Sequence, residues 1–206
     1  QRVAAVNLSD IAAMGGKPLW ALVSLGIPNS LSSETIEGIY DGMEKLFRLY
    51  GVEIVGGNTT NLPDRTLVDV TLLGEATLGR PLLRSGAKVG DVICVTGSLG
   101  RSAAGLQLLQ RETNLLDLQW DDALKTSYRT PSPRIREGVL LAECRGVSAC
   151  MDISDGLASD AQHMAKASQV TMLIDIDQLP ITRAVHGACD HLHLNVLHAA
   201  LGGGED

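Results

Sequence analysis

Short apolar runs alternate with helix-patterned segments through most of this 206-residue chain. In the second half, runs at 91–96 and 149–153 each lead into a segment patterned as a helix, and a third run covers 171–176. Because buried strands of layered sheets are short and continuously apolar, this alternation predicts an α/β layer. We expect the helices of this half at about 100–110, 134–144 and 157–168.

The first 80 residues mix strands with two helices. The helices are expected over 3–15, ending at Gly15-Gly16, and from a cap at Ser32 or Ser33 to about Tyr50. We expect strands at 19–27, 52–55 and 66–78. Residues 112–133 are expected to be polar and irregular. The sequence therefore predicts an α+β domain over 1–80 and an α/β domain over 81–206.

Charge and cysteine usage narrow the class of protein. The formal net charge is −7 and no Lys/Arg-rich run occurs, which argues against a nucleic-acid binder. No apolar stretch is long enough to span a bilayer, and the first residues lack the pattern of a signal peptide. Four cysteines show no zinc spacing, and Cys94 and Cys150 lie in apolar runs typical of a core. We expect a cytoplasmic protein with reduced thiols.

Two short polar segments in the first half are candidate binding sites. Asp10 lies in an apolar helical segment, where a carboxylate is costly unless it is paired or binds a cation, although an exposed helix face would also explain it. Gly56-Gly57-Asn58 follows the expected strand at 52–55. Paired glycines there can bring backbone N–H groups close to a phosphate, and an ordinary glycine-rich turn is the alternative.

Two further segments lie in the second half. Asp152 and Asp155 flank a serine at the end of an apolar run, and two carboxylates so close favour a magnesium ion, although Ser154 or Asp155 could instead cap the next helix. The chain closes with three glycines before Glu205 and Asp206, which suggests close backbone approach to a ligand or else a frayed tail. Four histidines crowd into 186–198 without ligand spacing, so we expect a solvated helix face there.

These motifs together resemble a known family. The blocks VNLSDIAAMGGKPLWALVSLGIP, VGGNTT, LLRSGAKVGDVICVTGSLGRSAAGL, MDISDGLASD and LGGGED, in this order, are similar to those of thiamine-monophosphate kinases. The resemblance spans essentially the whole chain. It implies a fold like that of aminoimidazole ribonucleotide synthase, with an N-terminal sheet that pairs with a second subunit in a barrel-cored homodimer. It also implies transfer of the ATP γ-phosphoryl group to thiamine monophosphate, with ATP and several Mg²⁺ ions between the two domains.

The resemblance also implies roles for single residues. Metal ligands would be Asp10, Asn58, Asp152 and Asp155. ATP would contact Tyr40, Gly57, Asn58, Arg84 and Ser154, although Tyr40 could simply pack in the core. Glu205 would face the cationic thiamine part of the substrate. No separate catalytic base or nucleophile is implied, since phosphoryl transfer needs mainly positioning and charge neutralisation.

The sequence departs from the family pattern in three places. Asn58 stands where many relatives have Asp, which removes a charge from a metal ligand. The family's GDDA-type acidic loop lies upstream of the first residue of this sequence, and a substrate-covering segment would follow the GGED block, so we expect further sequence on both sides. Two alternatives stay open: another ATP-dependent enzyme of the aminoimidazole ribonucleotide synthase type, and a nucleotide-binding relative without turnover.

Overall fold

The computed structural model describes residues 1–204 and divides into two compact units. The first unit comprises Gln1–Pro81 and Pro133–Glu143, and the second comprises Leu82–Ser132 and the described residues from Cys144 onward. The helices are α1 (Arg2–Ala13), α2 (Ser33–Leu49), α3 (Arg101–Gln110), α4 (Leu118–Arg129), α5 (Ile135–Glu143), α6 (Leu157–Ser168), α7 (Arg183–Leu192) and α8 (Val196–Gly202). The strands are β1 (Gly16–Ile27), β2 (Glu53–Asn61) and β3 (Leu67–Ala76).

The first unit is a mixed three-stranded sheet with helices packed on one face. The strand order is β2-β1-β3, with β1 parallel to β2 and antiparallel to β3. Alternate residues of β1 point into the core, so Ala21, Val23 and Leu25 are at most 1% exposed and pack with Phe47 of α2 and Leu8 of α1. The expected helices and strands of this half are present, and Ser32 caps α2 as predicted by accepting a hydrogen bond from the Thr35 N–H at 3.3 Å.

The glycine pair after Val55 does not form the predicted turn. Strand β2 runs through it to Asn61, with Gly57 paired to Val23 and Asn58 paired to Ser24 of β1. The register shifts where Ala21 pairs with Ile54 but Leu22 pairs with Gly56, which marks a β-bulge. Glycine is a common residue at such bulges, so the pair keeps the strand in the sheet and does not end it.

The second unit is mainly helical in its described residues. Its core has two parts, one built around Leu108, Leu124 and Val185 and a smaller one around Leu99 and Leu157. The predicted strands at 91–96, 149–153 and 171–176 form no regular ladder there; the described residues of this unit contain only an isolated parallel bridge between Leu99 and Ile181.

The expectation of a strand-based α/β layer was therefore wrong for these three segments. An apolar run becomes a strand only where neighbouring backbone completes its hydrogen bonds and covers its side chains. Val92 is 84% exposed and Leu173 is 87% exposed, so each segment is covered only in part, through Val95 and Ile174, which pack against the smaller core. Cys94 is likewise exposed and does not lie in the core as predicted, whereas Cys150 is half-buried.

The segment 112–133, predicted to be irregular, contains helix α4. Its N-terminus is capped by Asp117, whose carboxylate accepts hydrogen bonds from the Gln119 and Trp120 N–H groups at 3.0 and 3.2 Å. Asp121 and Lys125 add an i,i+4 ion pair of 2.8 Å on the buried side. The polar residues that suggested a loop are thus the cap and the paired face of a helix.

Among the described residues, no helix combines the length and the apolar character needed to cross a bilayer. The predicted domains, 1–80 and 81–206, and the roles assigned to them stay predictions. Helix α5 belongs to the first unit by its contacts, although it lies in the second half of the sequence.

Candidate functional site

The loop at 152–156 leads directly into helix α6. Gly156 is the N-cap residue, with a φ of 101° that favours glycine, and the cap has no side-chain hydrogen bond. Capping by Ser154 or Asp155, the alternative explanation of these residues, is therefore wrong. Both side chains are exposed, and Asp152 is half-buried.

Asp160 anchors this loop from the first turn of α6. The residue is 3% exposed, and its Oδ2 accepts hydrogen bonds from the Ser154 N–H at 3.0 Å and from the Asp155 N–H at 3.1 Å. Burial raises the pKa of the Asp160 carboxyl, the two N–H bonds lower it in part, and the nearby carboxylates of Asp155 and Asp152 raise it again. Asp160 was not predicted as part of the site from the sequence. The signal that could have identified it is a carboxylate on the apolar side of a helix, four residues after a glycine N-cap.

The glycines near the end of the described chain pack against the same loop. A Cβ on Gly204 would stand 1.8 Å from the carbonyl oxygen of Ser154, and one on Gly156 would stand 2.7 Å from the carbonyl oxygen of Leu201. The DISDG and GGG motifs, 46 residues apart or more in the sequence numbering, thus lie backbone to backbone. Glu205, the predicted substrate contact, lies outside the described residues.

The segment that carries Arg84 is attached to the far end of α6. The Ser168 hydroxyl accepts hydrogen bonds from the Gly86 and Ala87 N–H groups, both at 3.1 Å, and donates to the Arg84 carbonyl oxygen at 3.2 Å. Cys150 N–H donates to the Leu83 carbonyl at 2.9 Å. The Arg84 side chain itself is exposed. Helix α6 therefore contacts the acidic loop at its start and the arginine segment at its end.

The predicted residues of the first unit lie on its sheet and helices. Asp10 is exposed near the end of α1, and Asn58 is exposed on β2. Gly57 has a φ of 147°, and a Cβ there would stand 1.8 Å from the Val23 carbonyl oxygen, so only glycine fits. Tyr40 is half-buried and packs against the core of this unit, as its alternative explanation required.

The donor atoms of these residues suit a hard cation. Asp152 and Asp155 offer only oxygen, and both lie close enough to Asp160 to affect its pKa. The described residues contain no group of three or more His, Cys, Asp or Glu side chains that could hold a metal ion, which includes the histidines at 186–198. Magnesium typically takes only one or two protein carboxylates and completes its shell with water and phosphate oxygens, so the residues present fit magnesium bound together with a phosphate ligand.

Comparisons with known proteins give consistent matches along the chain. Residues 1–76 match the family model "AIR synthase related protein, N-terminal domain", and residues 88–201 match the model "AIR synthase related protein, C-terminal domain". The thiamine-monophosphate kinase of Bacillus subtilis (strain 168) is 42% identical over 207 residues, which cover 98% of this chain and 61% of that protein. The chain thus spans about three fifths of the length of such relatives.

Solved structures agree with these matches. The structure of AaThiL complexed with AMPPCP and TMP superposes with a TM-score of 0.91 at 36% identity, covering 100% of this chain and 64% of that one. The crystal structure of thiamine monophosphate kinase from Aquifex aeolicus superposes with a TM-score of 0.90 at 36% identity, covering 100% of this chain and 68% of that one.

Proposed function

This chain belongs to the AIR synthase related proteins and, among them, to the thiamine-monophosphate kinases, and from that membership we propose that it transfers the γ-phosphoryl group of ATP to thiamine monophosphate. The product would be thiamine diphosphate. The observation that carries the proposal is the junction of the two motifs in the second unit, where the backbone of Gly204 meets the acidic loop at Ser154. Similarity to a structure complexed with AMPPCP and TMP supports both substrates.

We assign the metal ligands to three aspartates and one asparagine. Asp152 and Asp155 would hold Mg²⁺ in the second unit, and Asp10 and Asn58 would do so in the first. Bound Mg²⁺ would neutralise phosphate charge and hold the phosphates in a reactive geometry. Asn58 offers an amide oxygen without a formal charge, so we expect it to bind the ion more weakly than an aspartate would.

The remaining predicted contacts would hold the nucleotide. Arg84 is exposed on a segment fixed by Ser168, and its guanidinium can donate two parallel hydrogen bonds to a phosphate. Ser154 is exposed within the acidic loop and offers a hydroxyl, and the exposed Gly57 leaves backbone accessible beside Asn58. Tyr40 as a nucleotide contact and Glu205 as the thiamine contact stay predictions.

No separate general base is required for the proposed reaction. The attacking group would be a phosphate oxygen of thiamine monophosphate, which is ionised near neutral pH, so the chain needs only to align it with the γ-phosphorus. A new P–O bond would form to that oxygen while the bond to ADP breaks. We therefore propose direct transfer without a phosphorylated side chain.

We also propose that the active form is a homodimer built on the sheet of the first unit. The face of this sheet opposite the core carries Trp20, which is 47% exposed, and Leu73, which is 47% exposed and pairs with Trp20 in the ladder. Leu22, Leu67 and Val55 add further exposed apolar area to the sheet. Such a face is typical of a surface that a second copy covers.

A substrate panel tests the proposed function against its two alternatives. The full polypeptide would be incubated with ATP and Mg²⁺ plus thiamine monophosphate, and separately with the substrate of an aminoimidazole ribonucleotide synthase, and products would be separated by chromatography. Thiamine diphosphate formed in step with ADP supports the proposal. Ring closure of the second substrate supports the related enzyme, and ATP binding with neither product supports a relative without turnover.

A further inference from the structure

One carboxylate oxygen fixes two consecutive peptide groups of the acidic loop. Oδ2 of Asp160 accepts hydrogen bonds from both the Ser154 and the Asp155 N–H groups. Two donors aimed at one acceptor restrict the rotation of both peptide planes, and with them the direction in which the side chains leave the backbone. The Ser154 and Asp155 side chains are exposed, while Asp160 itself is 3% exposed.

Burial separates the role of Asp160 from that of the proposed metal ligands. A group that binds a solvent-accessible phosphate-bound ion must present an oxygen to solvent, as exposed Asp155 does and buried Asp160 does not. The Oδ2 atom is already engaged by two N–H donors. Asp160 is therefore placed to hold the backbone that carries the proposed ligands and not to bind the ion itself.

We propose that Asp160 is a positioning residue, which holds the Asp152–Asp155 loop in its metal-binding conformation through the acceptor oxygen it presents to the Ser154 and Asp155 N–H groups. This inference rests on the proposed function only in that the loop binds Mg²⁺ with ATP. It assigns to Asp160 an acceptor role that a neutral amide oxygen could also fill. Partners that orient metal ligands typically change metal affinity 10- to 100-fold when they are removed.

Two substitutions separate the acceptor role from a direct or purely electrostatic one. Asp160→Asn keeps an oxygen of the same reach and removes the ability to carry a negative charge, whereas Asp160→Ala removes the acceptor. Ser159→Ala, in the same turn of α6, serves as the matched control. Each variant of the full polypeptide would be measured for Mg²⁺ affinity by calorimetry with a non-hydrolysable ATP analogue present, and for amide hydrogen exchange at 154 and 155 in the ligand-free state.

The expected pattern is an ordered series. Asp160→Ala weakens Mg²⁺ binding about 10-fold or more and speeds exchange of the 154 and 155 amides, with exchange in α3 and α7 unchanged. Asp160→Asn stays within about 3-fold of the unsubstituted protein, consistent with a role that depends on the acceptor. Ser159→Ala leaves both readings unchanged.

Several results would overturn the inference. If Asp160→Asn and Asp160→Ala lose Mg²⁺ affinity equally, then the negative charge or direct coordination of the ion matters, and the hydrogen-bond acceptor does not. Unchanged exchange and Mg²⁺ affinity in Asp160→Ala would remove the role altogether. If Asp160→Ala does not fold, rapid exchange of the 154 and 155 amides in the unsubstituted protein would still refute it. Exchange requires no turnover, so a protein that fails to phosphorylate thiamine monophosphate would refute the proposed function and leave this test standing.

Discussion

Gly204 lies against Ser154 with no room for a side chain, since a Cβ on Gly204 would stand 1.8 Å from the Ser154 carbonyl oxygen. The obstacle is backbone, which cannot rotate aside as a flexible side chain can. This contact joins the third and fourth motifs that the sequence singled out. Any residue larger than glycine at 204 must displace the acidic loop or the chain that precedes Glu205.

Gly204→Ala is therefore expected to lower thiamine diphosphate formation at least about 10-fold, since small displacements of positioned groups cost that much or more. Steady-state kinetics with varied Mg²⁺ would measure the effect. Gly38→Ala is the matched control, because a Cβ at Gly38 in α2 meets nothing within 4 Å and should stabilise that helix by up to about 1 kcal/mol. Normal activity in Gly204→Ala would show that the junction tolerates displacement.

Ser168→Ala is expected to raise the KM for ATP and to leave the affinity for Mg²⁺ unchanged. The substitution removes the hydroxyl that accepts from Gly86 and Ala87 and donates to the Arg84 carbonyl, so the arginine segment loses three hydrogen bonds. We expect the KM for ATP to rise about 3- to 10-fold, which corresponds to roughly 1 kcal/mol of lost positioning. Calorimetry on Ser168→Ala should show unchanged Mg²⁺ affinity, whereas Asp160→Ala is expected to bind Mg²⁺ more weakly. An unchanged KM would exclude Ser168 from organising Arg84.

Trp20→Glu is expected to convert the protein from dimer to monomer. The substitution places a charge on the exposed apolar face of the sheet next to Leu73, where burial against a second copy would be strongly unfavourable. Sedimentation velocity would report the mass, and circular dichroism would confirm that the fold is retained. Leu49→Glu, which places the same charge on an exposed apolar residue of α2 away from the sheet face, serves as the control. A monomeric unsubstituted protein would refute the proposed dimer directly.

The Asp121–Lys125 pair is expected to make stability fall in acid. Burial on its own would raise the pKa of Asp121, but the hydrogen bonds from Lys125 and from the Leu115 N–H outweigh burial and hold the pKa below its ordinary value. A carboxyl with a lowered folded pKa stabilises the fold above its unfolded pKa of about 3.9, and this contribution disappears as pH falls through the folded value. Asp121→Ala should lose about 2 kcal/mol of unfolding free energy near pH 7.

Urea unfolding at several pH values would measure both effects. The difference between the unsubstituted protein and Asp121→Ala should be largest near neutral pH and should shrink below about pH 4, where the carboxylate becomes protonated. Lys125→Met provides a second variant that breaks the pair from the other side. A difference that stays constant from pH 7 to pH 3 would contradict the assigned role of the ion pair.

Much of the first unit could be predicted from sequence because its signals are local. Helix spacing, the Ser32 cap and the continuous apolar run of β1 are all encoded within a few neighbouring residues. The turn predicted at the glycine pair was wrong, because Gly56 and Gly57 are equally compatible with a turn and with a bulged strand. Only the pairing with β1, which depends on residues far along the chain, distinguishes the two.

The second unit was harder to predict, because its structure also depends on residues far apart in the sequence. Whether the apolar run at 91–96 becomes a strand depends on distant partners that local periodicity does not report. The acidic loop was predicted as a metal site, which stays a prediction, and the residue that supports its backbone was not predicted. Asp160 looked like any surface carboxylate in a helix, and its two bonds to the loop appear only once the helix start is placed in three dimensions.

Single-turnover transfer of a labelled γ-phosphoryl group is the most direct test of the proposed kinase reaction. The full polypeptide, in excess over ATP labelled at the γ-phosphorus, would be mixed with Mg²⁺ and thiamine monophosphate and quenched at intervals. We expect label to appear in thiamine diphosphate with no labelled protein at any time, and the transfer to stop when Mg²⁺ is chelated. Label that remains in ATP, is released only as inorganic phosphate, or passes through the protein would contradict it.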